Sequence, residues 1–319
     1  VTRLAALALL LAACTGAITG PGDEQSGDGP GDGDGKSDER GDAAAAADAA
    51  AAGPSAAELE SLVTDLVAGA ATRAPGAEVG IAVMHLGNGV RASAGGDTLF
   101  VSASSAKAWW VAAALAGVGV DPVEPYAEPI FANSDNGATG SVIDLVGPDA
   151  VNVYIWDVIG MDSTALTQWS YQKTREASNS PRLMGSDNYA TADDAVTFLA
   201  ALHRGEALGA AETTALLDWM RLSPRSGFGG WLGTPLPEPV RATLAHKGGW
   251  LPPGCCSDDA YYNTLNDVGI VTAEDGTAYA IAIFSHGGDD WYGQQQPYVE
   301  YAACSVYRFM IDDPSIACE

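Results

Sequence analysis

Ser104 and Lys107 stand three residues apart at the head of a stretch, residues 100–117, that is almost wholly apolar after the lysine. Residues at this spacing share one face of a helix, and a helix N-terminus presents unpaired backbone N–H groups. A lysine desolvated in such a place sheds its proton readily. Beside a hydroxyl it can serve as the base that makes a serine nucleophilic. Two more groups fit the same chemistry. Ser134-Asp135-Asn136 offers a second hydroxyl and a side-chain amide, and His246-Lys247-Gly248-Gly249-Trp250 offers a second lysine in a strand-like run. Only four lysines occur, at positions 36, 107, 173 and 247, in a chain of net charge −26. An apolar setting for two of them is therefore informative.

Each motif has a second copy. Ser170-Tyr-Gln-Lys173 has no buried helix after it and reads as coincidence. Ser186-Asp187-Asn188 leads into Thr191 with Asp194 three residues later, which reads as loop and helix N-cap. The elements that must position the first copies follow from periodicity. Ser55 and Glu58 form a capping box ahead of Leu59, Leu62, Val63, Leu66 and Val67 at helical spacing. Residues 78–86 and 90–94 alternate as strands around Gly87-Asn88-Gly89. The middle of the chain, 121–220, reads as mainly helical, with segments at 141–146, 150–159, 192–203 and 211–220. Strand-like character returns at 242–247, 267–272 and 279–285, and 298–311 reads as a closing helix. The expectation is an α/β fold of two lobes: an antiparallel sheet made from both chain ends with flanking helices, and an inserted all-helical lobe.

Ser-x-x-Lys, Ser-Asp-Asn and Lys-x-Gly, in this order and on this lobe pattern, resemble the serine β-lactamases and penicillin-binding proteins, and among them class A β-lactamases. The likeness covers residues 57–311. It implies that Ser104 attacks an amide carbonyl and forms an acyl-enzyme, with Lys107 taking its proton. It further implies that Ser134 relays a proton to the leaving nitrogen, Asn136 binds the substrate's side-chain amide, and Lys247 attracts a substrate carboxylate. Gly248, Gly249 and Trp250 would line the substrate, and the N–H of Ser104 with one near Trp250 or Leu251 would form an oxyanion hole. The substrate class is a β-lactam or a peptidoglycan peptide, and no cofactor is implied. A D-Ala-D-Ala carboxypeptidase-like peptidase and a non-turnover penicillin- or peptidoglycan-binding protein are the alternatives.

Three departures bear on turnover. The glutamate that activates the deacylating water in class A enzymes is expected after Trp169, where this chain has Ser170; Glu176 is the nearest carboxylate and a candidate substitute. Gly248 stands where the family carries Thr or Ser. The interval between Ser104 and Ser134 is shorter than in class A enzymes, which predicts a more open cleft.

The ends of the chain speak to compartment. Residues 1–14 combine Arg3, a short apolar run and Leu-Ala-Ala-Cys14, which resembles a lipoprotein signal with Cys14 as the lipidated residue. Residues 15–56 are Gly-, Asp-, Ser- and Ala-rich and read as a disordered tether, leaving 57–319 as the catalytic domain. The expectation is an exported monomer, held to the bacterial envelope through its N-terminal lipid only. So acidic a chain repels nucleic acid. Cys255, Cys256, Cys304 and Cys318 suggest disulfides, with three pairings open; because adjacent cysteines rarely bond each other, Cys255 and Cys256 are expected to reach Cys304 and Cys318. No metal-ligand spacing is present. His85 and His203 read as structural, and His286 as a residue near the cleft.

Overall fold

Ser55 starts the first helix as its type and spacing require: its hydroxyl accepts from the Glu58 N–H while the Glu58 carboxylate accepts from the Ser55 N–H. The computed structural model describes residues 53–167, 188–251 and 263–319. Helix α1 (Ala56–Arg73) buries Leu59, Val63, Leu66 and Ala70 on one side. Strands β1 (Glu78–His85) and β2 (Arg91–Ala94) form the expected hairpin. His85 has a structural role there, accepting from the Asn88 N–H through Nδ1.

The chain then enters β3 (Phe100–Val101), a 3-10 turn (Ala103–Ala106) and α2 (Lys107–Val118). Every residue from 107 to 115 in α2 is buried, so this helix forms the middle of a core rather than an amphipathic cover. Around it pack α3 (Val120–Asn133), α4 (Asn136–Val146), α5 (Pro148–Val153) with a π turn (Tyr154–Ile159), α6 (Ala192–His203) and α7 (Ala210–Met220). Helix α3 carries Pro125 and Pro129 in its interior. Two missing N–H groups would ordinarily break it. Here Pro125 is exposed while Val123, Ala127, Ile130 and Phe131 are buried on the other side, and the Pro129 carbonyl is taken by the Asp135 N–H.

The five-stranded sheet is antiparallel, in the order β2-β1-β7-β6-β5, with β5 (Ala245–Leu251), β6 (Thr264–Thr272) and β7 (Ala278–His286). Pairing of β1 with β7 joins the two ends of the domain, as expected. The sheet separates two cores. The helical lobe packs on Ala82, Val268, Ala282 and Phe284, whereas α1 and α9 (Gln296–Met310) pack on Ile81, Val83, Ile281 and Ile283. A two-stranded sheet pairs β3 with β4 (Tyr189–Ala190).

Two expectations are corrected. The run 242–247 is not one strand: α8 (Glu238–Thr243), entered from Pro237, occupies its start, and β5 begins at Ala245. Cys304 is bonded to Cys318, not to either adjacent cysteine. The bridge joins α9 to the C-terminal tail across 14 residues, a loop size worth about 3 kcal/mol of unfolded-state entropy. Cys255 and Cys256 lie outside the described residues, as do Cys14, Ser170, Lys173 and Glu176.

Candidate active site

The turn that carries Ser104 is held from three sides. Asn266 on β6 donates through Nδ2 to the carbonyls of Val101 (2.8 Å) and Ser102 (3.1 Å), and its Oδ1 accepts from the Ser285 N–H (3.3 Å). Asn188 accepts through its carbonyl from the Ser102 N–H (2.8 Å) and hydroxyl (3.1 Å), so the second Ser-Asp-Asn ends in an anchor for the turn. Thr191 caps α6 by accepting from the Asp194 N–H. From the sheet side, Gly249 on the edge strand β5 lies against the turn; a Cβ there would stand 2.5 Å from the Ser105 nitrogen and 2.8 Å from that of Ser104. Ala103, with φ +47°, adopts a left-handed conformation disfavoured for residues with a Cβ, which these contacts hold in place.

Ser104 lines a cleft of about 600 Å³ together with Ser134, Asn136, Lys247, Gly248 and Trp250. Lys107 and Lys247 are both buried. The Lys107 amine donates to the Ser134 carbonyl (2.5 Å) and Asn136 Oδ1 (2.7 Å), and lies 3.2 Å from Ser134 Oγ. Lys247 reaches the same hydroxyl at 3.1 Å and the Gly248 carbonyl at 2.7 Å. Ser134 sits between the two amines because α3 ends on it with φ +55°. The Asp135 carboxylate then caps α4 at the Ala138 N–H.

Burial, reinforced by the nearby Lys247 charge, lowers the Lys107 pKa to about 6. Burial also lowers that of Lys247, to about 8, against the opposing pull of Asp267. At neutral pH Lys107 is therefore mostly an uncharged amine able to act as a base, and Lys247 mostly still a cation. A reaction at Ser104 that needs both states rises as pH passes about 6 and Lys107 loses its proton, and falls as pH passes about 8 and Lys247 loses its charge. The pH profile of Ser104 acylation by a reactive amide is expected to be a bell with those limbs. A rate flat from pH 5 to 9 would contradict the assignment.

Sequence reasoning missed what lies behind Lys247. His246 Nδ1 lies 2.8 Å from Asp267 Oδ1 and its Nε2 2.9 Å from the Pro224 carbonyl, while Asp267 Oδ2 accepts from the Leu232 N–H at 3.0 Å. Both side chains are fully buried. The pair ties β5 and β6 to the loop that borders the cleft. Asp267→Ala strands a buried imidazole and an N–H, and is expected to cost about 3–5 kcal/mol in urea unfolding; a loss below about 1 kcal/mol would show the pair to be dispensable. His286 is outside the cleft and pairs with Glu78 at 3.0 Å.

Residues 122–303 match the family model described as the beta-lactamase enzyme family. No curated protein matches. Among solved structures, the TLA-3 extended-spectrum beta-lactamase is 17% identical with a TM-score of 0.66, covering 79% of this chain and 99% of that one. A beta-lactamase from Sphaerobacter thermophilus is 25% identical with a TM-score of 0.61, covering 80% and 98%. A PBP-A variant solved as an acyl-enzyme with penicillin G is 21% identical with a TM-score of 0.62, covering 80% and 97%.

Proposed function

The chain belongs to the beta-lactamase enzyme family, and from that membership we propose that it is a serine hydrolase that opens a β-lactam or related amide through an acyl-enzyme on Ser104. One observation carries the reading: two buried amines, both shifted towards neutrality and Lys107 the further, converge on the Ser134 hydroxyl in the cleft that Ser104 lines. Neutral Lys107 takes the Ser104 proton as Oγ bonds to the carbonyl carbon. The oxyanion is stabilised by the Ser104 N–H and one from β5 near Trp250. As the carbon–nitrogen bond breaks, Ser134 gives its proton to the leaving nitrogen and is reprotonated from Lys107. That amine returns to its neutral state. Lys247 keeps the field positive for a substrate carboxylate, and Asn136 orients the substrate amide while fixing Lys107.

Deacylation needs a base for water. Glu176 is the proposed one, because Ser170 stands where the resemblance puts the glutamate. The same substitution favours a second reading, a D-Ala-D-Ala peptidase or a penicillin-binding protein that acylates and stalls. Hydrolysis of a chromogenic cephalosporin, followed beside intact mass, separates them. Continuous turnover supports the hydrolase, a stable adduct without turnover supports the binder, and neither signal with any β-lactam overturns both. We also propose that the protein is exported and held to the envelope through a lipid on Cys14, as a monomer; metabolic labelling with a palmitate analogue, lost in Cys14→Ala, tests the anchor.

A further inference from the structure

Gly248 is explained by what packs on it. A Cβ there would stand 2.7 Å from the Gly229 carbonyl oxygen and 3.1 Å from the Trp231 ring. A residue bearing a hydroxyl could not coexist with the loop in its present place. That loop is pinned by several bonds: the Ser223 hydroxyl donates to the His246 carbonyl, the Pro224 carbonyl meets His246 Nε2, and the Leu232 N–H donates to Asp267. It delivers Phe228 against Trp250, with ring centroids 4.7 Å apart and planes at 82°. Trp291 lies 5.9 Å from Phe228 and 5.6 Å from Trp250, and Tyr292 continues the cluster at 6.1 Å from Trp291.

Phe228 and Tyr292, at 50% and 70% exposure, are the two exposed aromatic rings among the described residues, and they belong to this one cluster. Phe228 and Trp250 line the same cleft as Ser104. Their side of it follows from Lys247, the neighbour of Gly248, which bonds to the hydroxyl assigned to protonate the leaving nitrogen. Rigid rings left half-open beside a reactive group form a surface that an edge-on or offset-stacked ring can complete.

We propose that this aromatic wall binds a planar aromatic ring carried on the leaving-group side of the substrate. The inference rests on the acyl-enzyme reading for its orientation and narrows the substrate class to compounds with an aryl-bearing leaving group. Phe228 is then a specificity-determining residue that takes no part in the chemistry.

Binding to full-chain Ser104→Ala protein separates recognition from reaction. Two cephalosporins with one acyl side chain, carrying a phenylvinyl or a vinyl group on the six-membered ring beside the carboxylate, are titrated by calorimetry and by tryptophan fluorescence. The phenylvinyl compound is expected to bind about tenfold more tightly. Adding Phe228→Leu, which keeps apolar bulk without a ring, should remove most of that preference, and the surface change Tyr292→Ala should reduce it. Equal affinity for the two compounds, a preference untouched by Phe228→Leu, or no binding of either overturns the inference. Acylation of wild type by a penicillin without a ring on that side tests the underlying reading separately: an adduct with no aryl preference sinks this inference alone, and no adduct sinks the reading beneath it.

Discussion

Lys107→Met is expected to slow acylation of Ser104 by about 10²–10⁴-fold, the usual contribution of a positioned general base. Methionine fills nearly the same buried volume at the head of α2 and brings no charge to desolvate, so the fold should persist. What it removes is specific. Ser134 and Asn136 lose the amine that holds them 2.5–3.2 Å away, and the amine whose pKa is lowered to about 6 disappears as a base. The rising limb of the pH profile near 6 should vanish with it. Measured as the second-order rate of labelling by a fluorescent penicillin, an unchanged rate or a surviving acid limb would assign the base elsewhere.

Gly249→Ala is expected to lower the same rate by about 10²–10³-fold through an unrelated cause, loss of an oxyanion donor. The added Cβ would stand 2.5 Å from the Ser105 nitrogen, 2.8 Å from the Ser104 nitrogen and 3.0 Å from the Ser102 carbonyl oxygen. All three are backbone atoms, so no side-chain rotation relieves the contact. The turn must move off the strand, and the Ser104 N–H moves with it. Because Asn266 and Asn188 hold the turn from other sides, the damage should stay local. The mutant should keep its circular dichroism and both limbs of its pH profile. Full activity would mean that Ser104 does not use its own N–H in the reaction.

The sheet and most helices were legible because their signals are local. Ser55 with Glu58, Thr191 with Asp194, the alternation at 78–86 and the short apolar run at 279–285 each fix an element within a few residues. The convergence of positions 104, 107, 134, 136 and 247 was legible through resemblance, since three short motifs on one lobe pattern imply a shared cleft. Helix α3 falls in the span 121–220 that reads as mainly helical, but it is not a distinct segment there, because Pro125 and Pro129 weaken its local signal and nothing in the sequence tells which side faces solvent. The clamp by Asn266 was equally hidden. Its partners are backbone carbonyls 164 and 165 residues away, and a polar residue in a strand carries no label for such contacts. The pairing of Cys304 with Cys318 went astray for a related reason: a rule against adjacent cysteines bonding each other says nothing about whether the C-terminal tail folds back on α9. Phe228 escaped notice because a lone aromatic among Gly and Ser has no period to betray its wall.

The full chain, exposed briefly to excess penicillin, digested and fragmented by tandem mass spectrometry, gives the most direct view of the chemistry. The added mass is predicted on the side chain at 104, with neighbouring Ser102 and Ser105 unmodified, and absent from Ser104→Ala. An adduct that persists in Ser104→Ala, or that maps to another residue in the wild type, would contradict the claim that a neutral buried lysine makes this serine the nucleophile.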